Sequence, residues 1–291
     1  MTQCNLCGEH DMRLKYTVDR FKIPLKIVEC PHCGLIWQFD VHVTDAVYDE
    51  VYFNGTGEYS YIDEREDKFL RDIESDRRVL NLRRLLDKKK DITLLDIGSS
   101  FGNLVDRARK QCIDARGIDV SDYVIKSSKN GVVYGDVCVG IEGSYDVITM
   151  VEVMEHLRNP KNALRNCHDG LNEKGLLLIQ TTNMDSVVRR FEKENSRYFL
   201  PGHLFYFSKK TLTALLKKCG FKVIKIYYGH ETGFLPAIFR RSIANLGRYQ
   251  LFDWVIMAYT TLLYWFSKIH IGNFAVHNGM VIIAKKEVKY E

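Results

Sequence analysis

The sequence predicts an α/β fold: a doubly wound, mostly parallel sheet of seven strands, preceded by a small metal-stapled module. Three observations predict it. From residue 92 short apolar runs alternate with helical stretches. A glycine-bearing turn, Asp96-Ile-Gly-Ser-Ser-Phe-Gly102, joins the first of these runs to the first of these helices. Four of the eight cysteines stand in the first 33 residues as two C-x-x-C pairs.

Residues 1–45 form the module, with β-like runs Leu25-Lys-Ile-Val28 and Leu35-Ile-Trp-Gln-Phe39. Residues 46–62 are aromatic and without a clean period (Tyr48, Tyr52, Phe53, Tyr59, Tyr61), and they read as a linker folding over a ligand site. Residues 63–90 are strongly charged, with Phe69, Ile73, Val79, Leu82, Leu85 and Leu86 spaced as the apolar face of a helix. Linker and helix together make a second region, 46–90. The third, 91–291, holds predicted strands at 93–97, 115–119, 132–134, 145–150 and 175–180, with helices at 103–112, 122–129 and 160–171 between them. Pro160 suits the first position of the last of these helices. The stretch 182–207 is irregular and rich in Arg, Asn and aromatics. Ser208 then reads as the N-cap of a helix that ends at Cys219-Gly220. Predicted strands 221–228 and 279–285, joined by a long connection, suit an antiparallel edge pair.

Net charge is +5 and the sequence pI is about 8.6, a mildly basic balance without a basic run. That balance makes a nucleic-acid partner less expected, and suits acidic small molecules equally well. The first seven residues carry neither a basic n-region nor an apolar h-region, so no secretory signal is expected. Clustered thiols beside scattered single ones favour metal over disulfide in a reducing cytoplasm.

In the turn, Gly98 lets the chain bend where a Cβ would clash, and Gly102 lets the helix start lie close to the sheet. Open α/β sheets bind ligands at the carboxyl ends of their strands. Asp119 ends the second strand, where a carboxylate accepts hydrogen bonds from both ribose hydroxyls of a nucleoside. The spacing is D-x-G-x-x-x-G rather than the dinucleotide G-x-G-x-x-G. It resembles the first motif of class I S-adenosylmethionine-dependent methyltransferases, whose sheet is Rossmann-like. Gly117-Ile-Asp-Val-Ser121 resembles their second motif, Gly135-Asp-Val137 the acidic turn that meets adenine, and Asp146–Leu157 the fourth motif. The resemblance implies S-adenosylmethionine as cofactor. It assigns Asp96, Gly98, Ser99, Ser100, Gly102, Asp119, Val120, Asp136, Val137 and Val151 to its binding. Serine at 99 and 100, where many relatives carry glycine, still permits a tight turn.

Glu152, Glu155 and His156 follow the fourth strand, and a helical turn there would put them on one face. His156 titrates near neutrality and is expected to take a proton from an acceptor hydroxyl, with Glu155 and His203 beside it as catalytic candidates. This set resembles those of ubiquinone O-methyltransferases and small-RNA 2′-O-methyltransferases. That likeness implies a second divalent cation at Glu152, Glu155, His156 and His203; other relatives carry the same run without metal. Asn183, Arg189, Arg190, Arg197 and Tyr198 are the acceptor-pocket candidates.

Cys4, Cys7, Cys30 and Cys33 have the spacing of two knuckles closing a tetrahedral structural zinc (Zn2+) site. A four-cysteine module before this cofactor fold resembles the sugar C-methyltransferases of deoxysugar pathways and a bacterial ribosomal-RNA guanine methyltransferase family. Within residues 234–275, Trp254–Ser267 is apolar and uncharged but too short to span a bilayer. A buried helix, a dimer contact and peripheral membrane contact all fit it, as do a monomer and a homodimer. Three functions remain open. One is methylation of a small-molecule, sugar or glycan-precursor acceptor, at oxygen or, as in the sugar enzymes, at carbon. The others are RNA methylation guided by the zinc ribbon and non-catalytic binding on the same fold.

Overall fold

The computed structural model describes residues 3–41, 48–54, 68–86, 89–128, 131–196, 198–228, 270–271, 274–275 and 278–287. The chain begins with three antiparallel strands, β1 (Arg13–Val18), β2 (Leu25–Glu29) and β3 (Ile36–Phe39). The apolar runs of β2 and β3 predicted those two strands. Strand β1 was not predicted, because its Arg13-Leu-Lys-Tyr-Thr-Val18 run buries little beyond Val18 and shows no alternation. A short helix α1 (Glu50–Phe53) is capped by Asp49, and α2 (Lys68–Leu85) supplies the charged amphipathic helix.

The second sheet follows with β4 (Thr93–Ile97), α3 (Asn103–Lys110), β5 (Asp114–Asp119), α4 (Asp122–Ser127), β6 (Val132–Tyr134), β7 (Tyr145–Val151), α5 (Pro160–Gly170) and β8 (Leu171–Thr182). Strand β8 starts earlier than the predicted residue 175. Leu171 is buried and pairs with Tyr145 ahead of a bulge, so the strand absorbs what reads in sequence as the end of a helix. The irregular stretch then contains α6 (Val187–Glu192), a 3-10 turn at Lys193–Asn195 and the two-residue β9 (Phe205–Tyr206). Helix α7 (Lys209–Lys218) opens on Ser208, whose side chain and that of Thr211 cap each other's backbone. Strand β10 (Phe221–Tyr228), the short pair β11 (His270–Ile271) and β12 (Phe274–Ala275), and β13 (Gly279–Lys286) complete the described chain.

The seven strands lie in the order β10-β13-β8-β7-β4-β5-β6. Strands β4 to β8 are parallel, and β13 is antiparallel to both β8 and β10. The late pair therefore forms the expected antiparallel edge, with β10 outermost and β13 between it and β8. Apolar Met280–Ala284 threads between β8 and β10, is buried on both faces, and leaves β10 outermost. The chain winds outward from β4 to β6 and returns to β7 on the other side of β4. That reversal opens a crevice at the carboxyl ends of β4 and β7. Strand β9 pairs with β3, so residues from the later part of the chain complete the N-terminal sheet. The segment 254–267 lies outside the described residues, among which no helix is long and apolar enough to cross a membrane.

Asp146 fastens the amino ends of β4 and β7. Its Oδ2 accepts from the Thr93 backbone N–H at 3.0 Å and from Thr93 Oγ1 at 3.1 Å, and its Oδ1 accepts from Asn172 Nδ2 at 2.8 Å and from Lys89. Burial works against its charge, but these donors outweigh it and hold the carboxyl below its usual range. The stability it contributes is present above the unfolded carboxyl pKa and is lost as pH falls through the folded value. Asp146→Asn is expected to cost about 2 kcal/mol at neutral pH. Urea unfolding would show a lower midpoint at unchanged slope, with a shallower loss of stability in acid than the wild type.

Candidate functional site

Strand β4 ends at Ile97 and the chain turns at Gly98, whose φ is +64°. A Cβ there would lie 2.4 Å from Val153 Cγ2, so the turn after β4 and the turn after β7 meet only because residue 98 is glycine. Ser100 is itself left-handed at φ 49°, and Gly102 starts α3 at φ 75°. The Ser100 N–H donates to Asp119 Oδ2 and the Ser121 N–H to Oδ1, each at 2.9 Å. These bonds fix the carboxylate at the end of β5.

Asp96 lies buried beneath the turn, where Thr149 Oγ1 donates to it at 2.6 Å; burial pushes its carboxyl up to about 6. Its geometry is that of a support for the turn. Asp136 Oδ1 accepts the Cys138 N–H at 2.7 Å and shapes the loop after β6, with Val137 buried beside it. Val120 directly follows β5, and Val151 ends β7. The ten sequence-predicted cofactor residues thus gather at the carboxyl ends of β4, β5, β6 and β7.

Residues 48–54 bridge this region. The Tyr48 carbonyl accepts from Ser121 Oγ at 2.5 Å, and its hydroxyl lies 3.1 Å from His156 Nδ1. Phe53 is buried against Phe101 and Tyr123, at ring-centroid distances of 5.6 and 6.1 Å. Tyr59 and Tyr61 lie outside the described residues.

After β7 the chain makes a turn rather than a helix: Glu152 has φ 55° and its N–H donates to the Gln180 carbonyl. Glu152 does not share a helical face with His156, and its Oε1 instead accepts from Gln180 Nε2 at 3.0 Å. Gln180 is in turn held by Arg78 from α2 at 2.9 Å. Glu155 is fully buried and accepts from Thr181 Oγ1 at 2.8 Å, while its other oxygen has no hydrogen-bond partner among the described residues. Burial first, and then neighbouring Glu152, hold its proton well above the usual carboxyl range. His156 is half-buried, with Nδ1 2.9 Å from the Gly202 carbonyl. A carbonyl only accepts, so Nδ1 carries the proton and Nε2 keeps a free lone pair. Surrounding protein pushes its pKa down to about 4, so the ring is neutral above that. His203 stands edge-on at a centroid distance of 4.7 Å, and burial drives its pKa well down too. Its buried Nδ1 has no partner among the described residues. Ligand atoms of Glu155, His156 and His203 lie within 4.8 Å of one another. Two neutral imidazoles and a buried carboxyl that would give up its proton to a metal fit a divalent cation, and among the described residues Glu152 is not part of the set.

The sequence reading missed Thr149, Thr181, Gln180, Arg78 and the Gly202 carbonyl. All five act through tertiary contacts that no local spacing encodes. Of the acceptor candidates, Arg197 lies outside the described residues. Asn183 and Arg189 are buried rather than part of a solvated face.

The sulfurs of Cys4, Cys7, Cys30 and Cys33 also lie within 4.8 Å of one another, and none is in a disulfide. The two knuckles repeat one pattern. Gly8 N–H donates to Cys4 O and Gly34 N–H to Cys30 O, both at 2.9 Å, with both glycines at positive φ. Four soft thiolates on paired knuckles suit a closed tetrahedral zinc site.

A family described as "Methyltransferase domain" matches residues 69–226. The mitochondrial ubiquinone biosynthesis O-methyltransferase of Saccharomyces cerevisiae is 31% identical over 141 residues, 43% of this chain and 45% of that one. The ubiquinone biosynthesis O-methyltransferase of Pseudomonas paraeruginosa is 23% identical over 120 residues, 37% of this chain and 52% of the relative. The chain thus spans about half the length of these curated relatives. Among solved structures, a chain from the complex between the Haloferax volcanii Trm112 methyltransferase activator and a methyltransferase aligns at TM-score 0.55 and 13% identity, over 82% of this chain and 99% of that one. The plantazolicin methyltransferase BpumL, in complex with SAH, aligns at 0.51 and 17%, over 83% and 96%. Both share the fold.

Gly98→Ala combines a strained φ with a buried clash, and is expected to lower thermal stability by several degrees and weaken nucleoside binding. The double variant Gly98→Ala/Val153→Ala removes the clash but not the strain. In a thermal melt it is expected to recover only part of the loss.

Proposed function

The chain belongs to the methyltransferase-domain family, and on that premise we propose that it transfers the methyl group of S-adenosylmethionine to a hydroxyl oxygen of a small-molecule acceptor. The observation that carries the choice of oxygen is His156. Its Nε2 lone pair is fixed by the Nδ1 bond to the Gly202 carbonyl, beside the crevice where the cofactor residues gather. S-adenosylmethionine, when bound, supplies an electrophilic methyl carbon on a sulfonium. Asp119 would accept from its ribose hydroxyls, and the turn 98–102 would hold its amino-acid end. His156 Nε2 would take the acceptor's hydroxyl proton as the methyl group passes from sulfur to that oxygen. Residues 48–54, fastened at Ser121 and His156, exclude water and align the reactants. The O-methyltransferase names of the curated relatives support the same choice.

A second reading puts a divalent cation on Glu155, His156 and His203. Glu155 Oε1 and His203 Nδ1, buried and without hydrogen-bond partners among the described residues, favour it. There the cation would polarise the acceptor hydroxyl, and His156 would serve as ligand rather than base.

Calorimetry and turnover test both. The wild type is expected to bind S-adenosylmethionine, and Asp119→Ala to weaken binding at least about tenfold through two lost ribose bonds. His156→Ala is expected to lower kcat about 100-fold or more with little change in cofactor affinity. A depressed pKa means that the base form is lost only as pH falls, so kcat/KM should drop near pH 4 to 5, not near 6.5. Absence of cofactor binding would sink the proposal. A chelator that abolishes turnover, with rescue by a divalent cation, would replace the base with the metal reading.

We further propose a structural zinc on Cys4, Cys7, Cys30 and Cys33. Metal analysis of the purified chain should find one zinc per molecule, lost in Cys7→Ser/Cys33→Ser together with a marked fall in melting temperature. Retention of full zinc by that variant would refute the site.

A further inference from the structure

A cleft of about 360 Å³ lies between the N-terminal sheet and helices α6 and α7. Five cationic side chains line it: Lys15, Arg189, Arg190, Lys193 and Lys210. Two carboxylates share it. Glu29 is spent on Lys15 at 2.6 Å, and Asp185 feels Arg190 and Lys210 around it. The cleft therefore keeps an excess of positive charge. Arg189 sits at its base, only 4% exposed. It has no carboxylate in salt-bridge contact among the described residues. Its two terminal nitrogens reach Ser196 Oγ and Met184 Sδ, and its Nε has no hydrogen-bond partner among the described residues. Tyr198 and Phe199 rings stack at 5.1 and 5.0 Å from the guanidinium. Glu192 reaches it only through Ser196 Oγ, which donates to Glu192 Oε2 at 2.7 Å. Burying a cation with no carboxylate in direct contact is costly, and cation–π contact offsets only part of that cost. A site that retains such an arrangement is poised for an incoming anion.

We propose that this cleft binds a diphosphate group, and through it a diphosphate-bearing acceptor. Diphosphate carries several negative charges on a compact, oxygen-rich frame, which a carboxylate does not. The cleft is large enough for the group and part of what it carries, and half-buried Tyr16 offers ring surface along the wall. Position links it to the chemistry. Asp185 follows Thr181 by four residues, which bounds their separation at about 14 Å. Thr181 holds Glu155 next to His156. The loop carrying His203 runs from Phe199 to Phe205 and so leaves the cleft to reach the histidines. The role of the ligand as acceptor rests on the methyl-transfer reading above; the binding itself does not.

Calorimetric titration of the full chain with inorganic pyrophosphate tests the site. The wild type is expected to bind it saturably. Lys193→Gln/Lys210→Gln changes two exposed side chains and is expected to weaken binding roughly tenfold or more while S-adenosylmethionine affinity stays the same. UDP-glucose in solution and vesicles carrying a polyprenyl diphosphate separate a soluble from a lipid-borne source, and competition by pyrophosphate against either supports the site. No pyrophosphate binding, or equal binding by the variant, overturns the proposal. Loss of S-adenosylmethionine binding in the wild type would instead strike the methyl-transfer reading and leave the cleft standing.

Discussion

The contact between Gly98 and Val153 is the constraint on which the site depends. Val153 lies three residues before His156, and its carbonyl accepts the His156 N–H. Gly98 opens the turn whose Ser100 N–H holds Asp119. Because residue 98 has no Cβ, the two turns press together, and the Asp119 carboxylate and the His156 imidazole are fixed relative to each other. A methyl transfer needs that kind of rigidity more than it needs strong acid–base chemistry, since its barrier falls chiefly with alignment.

Around this contact the molecule stacks one support behind another. Asp96 and Thr149 brace the first turn from below. Buried Arg78 and Gln180, with exposed Glu152, form a relay that ties α2 to the second turn. The Glu155 carbonyl accepts two backbone N–H groups, from Leu204 and Phe205, and so draws the His203 loop to the same place. Partly satisfied polar groups are tolerated here where a core would not keep them, which is what a binding site requires.

Much of this was legible in the residues. The turn 96–102 and the acid at 119 are local signals, because a strand, a tight bend and a helix must follow one another in a fixed order. The two knuckles are legible for the same reason, being closed by hydrogen bonds within five residues. The turn at Glu152–His156 misled the eye toward a helix, since E-x-x-E spacing looks helical while the positive φ of Glu152 leaves no compositional mark. Strand β1 hid behind an exposed face. The Gly202 carbonyl that sets the His156 tautomer could not be found at all, because a backbone oxygen has no letter in a sequence.

The pairing of Ile36 and Trp37 with Tyr206 and Phe205 spans most of the chain. Closing so long a loop adds entropic cost, and sheets built on distant partners form slowly. During synthesis the N-terminal knuckles and their hairpins emerge early, but the fourth strand of their sheet is made some 170 residues later. Until then β3 presents an unpaired edge, the kind of surface that recruits stray strands.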